Sequence, residues 1–236
     1  MQRTMMTATA AAIFATPAMA FSITFFSAVD GQQLGYTSSD RVEARFKADT
    51  TNWTMRLSDA PQPFVGDNLL NNGNGRSNFE GRSFGFSLAF DSVARELSWT
   101  ITNDAGNSSV LTYDASAPGS TPNLIQIATS GSRGMVVLDR AAFSSPSEAS
   151  VAIPSLSVGP AGPTYAETFA FFGDNADLYA DNWSLAGFVS FDDFTHNNPN
   201  EGVKLSMSLR SAAVIPAPAT ALVFLPVAGL AMRRRR

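Results

Sequence analysis

Hydropathy alternates with a period of two along most of this chain, and that pattern confines it to strands half buried against a core. The segment 41–47 is the clearest case: Arg41, Glu43, Arg45 and Lys47 alternate with Val42, Ala44 and Phe46. Successive strand side chains point to opposite faces, so the charged set is expected in water and the apolar set inside. Trp53, Met55 and Leu57 share a face in the same way. Phe84, Phe86, Leu88 and Phe90 form another apolar row, followed by Leu97, Trp99 and Ile101. Asn103-Asp104-Ala105-Gly106-Asn107 has hairpin-turn chemistry, with a returning strand over 110–113.

Further strands are expected over 124–128, 135–138, 168–172, 183–191 and 202–210, about ten in all. Residues 141–149 allow a short helical turn, which Pro146 limits. Strands without intervening helices predict an all-β fold, an antiparallel β-sandwich of jelly-roll type. Two long loops interrupt the pattern. One covers 60–78 and is rich in Asn, Gly and Pro; the other covers 154–163. Loops of that length carry function or move.

The two ends differ from the body. Arg3 precedes an apolar stretch ending in Ile13 and Phe14, and Ala18-Met19-Ala20 fits a signal-peptidase site. The mature chain is expected to start at Phe21. At the other end, Ile215-Pro216-Ala217-Pro218-Ala219 leads into an apolar stretch and then into Arg233–Arg236. A bilayer crossing needs roughly 20 apolar residues, which 214–232 just supplies. Pro226 would kink the helix, which a membrane tolerates. The terminal arginines stay cytoplasmic, so the body faces outward. The expected division is a signal peptide over 1–20, a β-sandwich over 21–210 and a linker with the Pro-x-Pro motif over 211–218. A transmembrane helix over 219–232 and an arginine tail over 233–236 complete it.

This ordered ending resembles the PEP-CTERM sorting signal read by exosortases. Its Ile-Pro-Ala-Pro-Ala is similar to the Val-Pro-Leu-Pro-Ala variant; the missing Glu leaves the exosortase subtype open. The resemblance implies passage through the secretion machinery and cleavage near the motif by a membrane-embedded cysteine protease. Release or attachment at the surface would follow, often in bacteria that make extracellular polysaccharide. The body, through Arg41-Val42-Glu43-Ala44-Arg45-Phe46, Ser83-Phe84-Gly85-Phe86-Ser87-Leu88 and the stretch from Asp181-Asn182-Trp183 to Phe191, resembles choice-of-anchor domains, nearest to the type labelled W. Those modules have no assigned catalytic residues.

Charge sharpens the reading. Arg3 and Arg233–Arg236 supply five of the 16 basic residues, which leaves 11 against 20 acidic ones in the part between. Such an acidic chain disfavours nucleic acid as a partner. With no cysteine and one histidine, His196, in a turn-rich stretch, the chain lacks the residues of most zinc sites, thiol nucleophiles and Ser-His-Asp triads. No catalytic centre is expected. Asp174, Asp177 and Asp181, with Asn175 and Asn182, form an oxygen-rich loop that suits calcium, although Asx residues also simply make turns. Asp192 and Asp193 are adjacent on a strand and point apart, so they do not make a glycosidase pair. Trp53, Trp99 and Trp183 lie in phase with inward rows, which favours core packing over sugar stacking. The functional expectation is an exported, non-catalytic surface or matrix protein. Its alternative is a carbohydrate-binding module of the extracellular polysaccharide matrix, with or without calcium.

Overall fold

The computed structural model describes residues 22–27, 34–48, 53–59, 79–116, 120–146, 148–195 and 203–214. Both expected terminal signals, residues 60–78 and His196 lie outside the described residues. The described residues form 13 strands. They are β1 (Thr24–Ser27), β2 (Leu34–Ala48), β3 (Trp53–Asp59), β4 (Arg82–Asp91), β5 (Glu96–Thr102), β6 (Ser108–Asp114) and β7 (Leu124–Ser130). The rest are β8 (Met135–Ser145), β9 (Glu148–Ala152), β10 (Leu156–Val158), β11 (Tyr165–Phe171), β12 (Trp183–Asp192) and β13 (Val203–Val214). No helix occurs among the described residues.

Two antiparallel sheets result. One has the order β1-β11-β7-β13-β2-β3. The other runs β10-β8-β12-β4-β5-β6, with β9 attached to β8. Pairing is nested: β2 with β13, β4 with β12, β7 with β11 and β8 with β10, alternating between the sheets. A chain folded this way brings its early and late strands together as the two layers close.

The alternating rows meet between the layers. Phe46 of β2 packs against Phe84 of β4 and Phe191 of β12, with ring centres 5.5 and 5.3 Å apart. Trp99, fully buried, donates its Nε1 hydrogen to the Arg45 carbonyl of the opposite sheet at 3.3 Å. Trp183 is likewise internal, and its Nε1 donates to the Leu178 carbonyl at 2.6 Å. Both indoles therefore combine a buried apolar body with a satisfied N–H, and neither is a sugar platform. The side chain of Trp53 lies outside the described residues.

Three features depart from the expected pattern. Residues 141–149 make no helical turn: β8 continues to Ser145 and returns as β9, with Pro146 in the turn between them. The stretch 154–163 holds the short edge strand β10. β13 runs to Val214, past the expected domain end at 210, because Ala212, Ala213 and Val214 pair with Tyr36, Gly35 and Leu34. Ala212 also packs against a second apolar cluster on the outer face of the first sheet, formed by Leu34, Leu124, Phe169 and Phe171 with Phe26 and Tyr36 against it.

A buried amide ties together the ends of β7, β11 and β13 in the first sheet. Asn123 Nδ2 donates to the carbonyls of Gly173 and Ala212, both at 2.9 Å, and its Oδ1 accepts from the Ala212 N–H at 2.8 Å. Its backbone N–H donates to the Arg210 carbonyl, and its own carbonyl accepts from Phe172. Replacing it leaves several buried backbone groups without partners, and each such group costs about 1–3 kcal/mol. Asn123→Ala is therefore expected to destabilise the fold by about 2–4 kcal/mol in urea unfolding. A loss under about 0.5 kcal/mol, the level of an ordinary surface change, would contradict the role given to this amide.

Candidate functional site

Strand register places the side chains of the first sheet's outer face in rows across the strands. One row reads Tyr165, Ser130, Lys204, Lys47 and Thr54 across β11, β7, β13, β2 and β3. The next reads Glu167, Ala128, Ser206, Arg45 and Arg56. The third holds Phe169, Gln126, Ser208, Glu43 and Ser58, and the fourth Phe171, Leu124, Arg210 and Arg41. The last two rows end in the outer apolar cluster, while the first two are polar.

Three directly opposed pairs in these rows carry like charge: Lys47 with Lys204, Arg45 with Arg56, and Arg41 with Arg210. Directly opposed like charges are unfavourable in a sheet. Among the described residues this face holds six cations and two carboxylates, Glu43 and Glu167. Glu43, only 8% exposed, lies 3.7 Å from Arg41 and 3.9 Å from Arg56. Such long contacts supply charge attraction without close hydrogen bonding. Burial pulls the Arg45 guanidinium below its ordinary pKa; Glu43 opposes this, and Arg56 and Arg41 reinforce it. Arg210 is lowered for the same first reason, burial, and next by Arg41.

Arg210 is held by its neighbours. Its Nε donates to Gln126 Oε1 at 2.9 Å, and its guanidinium lies 4.8 Å from the Tyr36 ring centre. Gln126 Nε2 in turn donates to Glu167 Oε2, as does the Tyr165 hydroxyl, both at 2.6 Å. Tyr165 leaves 49% of its surface exposed at the edge of this relay. Small side chains, Ser130, Ala128 and Ser206, floor the space between Tyr165 and Glu167 on one side and Lys204, Lys47 and Arg45 on the other.

The loop expected to suit calcium makes local and hairpin contacts. Asp177 Oδ1 accepts from the Tyr179 N–H at 2.8 Å, and its carbonyl accepts from Ala180, which makes a turn. Asn182 Oδ1 accepts from the N–H and hydroxyl of Ser92 in the β4–β5 hairpin, at 2.7 and 2.8 Å. Arg95 of that hairpin donates to the Tyr179 carbonyl at 2.6 Å. The loop is thus tied to the hairpin tip. Asp174, Asp177 and Asp181 are not gathered into one metal-holding group; among the described residues no three acidic or histidine side chains form such a group. Asp192 accepts from the Asp193 N–H at 2.9 Å, a local turn contact at the end of β12. The residues of the expected sorting motif, Ile215, Pro216, Ala217, Pro218 and Ala219, and of the expected cleavage site, Ala18 and Ala20, lie outside the described residues.

The cationic face escaped sequence reading, although its signal was present. Arg41, Arg45 and Lys47 alternate in β2, and Lys204 and Arg210 sit in phase in β13. Only the register between the strands shows that they oppose one another.

Two outcomes test this electrostatic picture. Lys204→Ser removes one like-charge opposition, so stability in low salt should rise by about 0.2–1 kcal/mol. The gain should shrink in high salt, where exposed charges are screened; urea unfolding at two ionic strengths measures it. Separately, burial, then the hydrogen bond and charge of Glu167, push the Tyr165 phenol pKa up. The fold therefore favours the neutral phenol. Its contribution to stability is complete below the ordinary tyrosine pKa of about 10 and disappears as pH rises through the folded value. Absorbance titration should show one tyrosine ionising late, a signal absent in Tyr165→Phe.

No protein-family model matches this chain, and no curated protein matches it in sequence.

Proposed function

We propose that this chain is an exported, non-catalytic cell-surface or extracellular-matrix protein, handled by an exosortase-type sorting system of the PEP-CTERM kind. The observation that carries the reading is the order of Pro216-Ala217-Pro218, an apolar stretch and Arg233–Arg236. The nested strand pairing supports a jelly-roll topology within the sandwich, as does the agreement between the alternating rows and the core. The body is read as a surface module of the choice-of-anchor kind.

A second reading is favoured by the cationic face. A carbohydrate-binding module of the extracellular matrix would use that face, with its exposed tyrosine and small-residue floor, as its ligand surface. Calcium-assisted binding would draw on Asp174, Asp177 and Asp181, of which Asp177 also caps a turn. Glycan binding measured with and without calcium separates the two forms.

The sorting reading is tested by mass. In a host carrying the matching exosortase, the mature protein should lack the residues after the Pro-x-Pro motif. A product still carrying Leu222–Arg236 would sink it.

A further inference from the structure

We infer that a pocket on the second sheet, between the β8–β9 turn and the start of β12, holds one neutral hexose residue at the end or branch of a glycan. This rests on the carbohydrate-binding reading and gives it an uncharged site, apart from the cationic face of the first sheet. The pocket has a volume of about 290 Å³ and is lined by Ser144, Ser145, Pro146, Asn182, Trp183 and Ser184. Ligand pockets run from roughly 300 to 1,000 Å³, so this one suits a single small ring and not a longer stretch of chain. It opens widely to solvent, as a site for a terminal residue must, because the rest of the glycan has to leave it.

The lining selects the ligand class. No charged side chain stands among the described lining residues, so an ion would lose water here without meeting a counter-charge. Ser144 and Ser184 are directly opposed in the β8–β12 ladder, and both are half-buried on its outward phase. Neither hydroxyl has a hydrogen-bond partner among the described residues. Asn182 is already oriented. Its Oδ1 accepts from the Ser92 N–H and hydroxyl, at 2.7 and 2.8 Å, which leaves its Nδ2 hydrogens to donate. Two hydroxyls that both donate and accept, with one amide donor, match the mixed hydrogen bonding of sugar hydroxyls. The remaining lining is carbon. Pro146 is exposed and offers ring C–H surface to the apolar face of a pyranose. Trp183, only 3% exposed, is a fixed wall instead of a stacking platform: it bonds to the Leu178 carbonyl and stacks on Phe143, ring centres 5.8 Å apart. Groups held this way lose little freedom when a ligand arrives.

The test uses the full-length chain, purified in non-ionic detergent, with methyl glucoside, methyl galactoside and methyl mannoside as probes read by saturation-transfer NMR. At least one should bind with a dissociation constant on the order of 1 mM, the level a ligand of this size reaches in an open site. Its affinity should hold between low and high salt, since no charge takes part. Asn182→Asp keeps the oxygen that Ser92 uses and removes the amide donor. It should weaken the bound hexoside about threefold to tenfold, the worth of one hydrogen bond. Ser144→Ala/Ser184→Ala should weaken it at least as much, while its unfolding midpoint stays near that of the unaltered chain, which separates lost binding from lost fold. Affinity unmoved in both folded variants would overturn the inference and leave the carbohydrate reading in place, with its site elsewhere. Affinity that falls steeply as salt rises would also overturn it. Failure of all three hexosides to bind would overturn it too; if polygalacturonate and dextran then also fail to bind, the carbohydrate reading falls with it.

Discussion

The architecture depends on one seam of aromatic rings between two sheets. Phe46, Phe84 and Phe191 come from three strands and both layers, and each touches the other two. Towards the other end, Phe143 meets both Phe172 and Trp183. With no cysteine in the chain, no disulfide shares the task. Rings in edge-on and tilted contact bury large areas and also fix the relative position of the layers, since the contacts hold only for one offset between the sheets. Everything on the outer faces inherits its spacing from that offset.

Closure of the seam also required local concessions. At the β8–β12 ladder the register shifts between Ala186 and Phe188, and Arg140 takes a φ of 49°. Gly187 sits there because a Cβ would lie 2.6 Å from the Ala141 Cα. The extra residue lies in β8, beside Arg140; Phe188, on the outward phase of β12 and 39% exposed, is covered by the Arg140 guanidinium at 4.1 Å. That ring is occupied by its own neighbour, which sets it apart from the open ring of Tyr165.

Much of the fold was legible in the sequence because strand alternation is a local signal. The inward rows of β2, β4, β5 and β13 follow directly from their residue order, as do the buried indoles of Trp99 and Trp183. The turn at 103–107 was also readable: Asn103 Oδ1 accepts from Ala105 and Asn107, and Gly106 takes the positive φ that the turn needs. What was not legible depends on pairing between distant strands. Alternation assigned Arg41, Glu43, Arg45 and Lys47 to water, but Glu43 is buried beneath its arginine neighbours. Leu34, Leu124, Phe169 and Phe171 come together only because β2, β7, β11 and β13 are neighbours. The acidic loop was ambiguous for a related reason: aspartates that cap turns and aspartates that hold a cation share one composition, and only their partners distinguish them.

The position of β13 has a mechanical consequence. It is an interior strand, hydrogen-bonded to β7 on one side and β2 on the other. A pull applied to the chain beyond Val214 enters the domain along this strand. It is then borne by two ladders at once, in shear, so that many hydrogen bonds share the load before any one yields. An edge strand in that place would peel open one bond at a time. The sandwich is therefore wired to resist tension applied at the C-terminal end of β13.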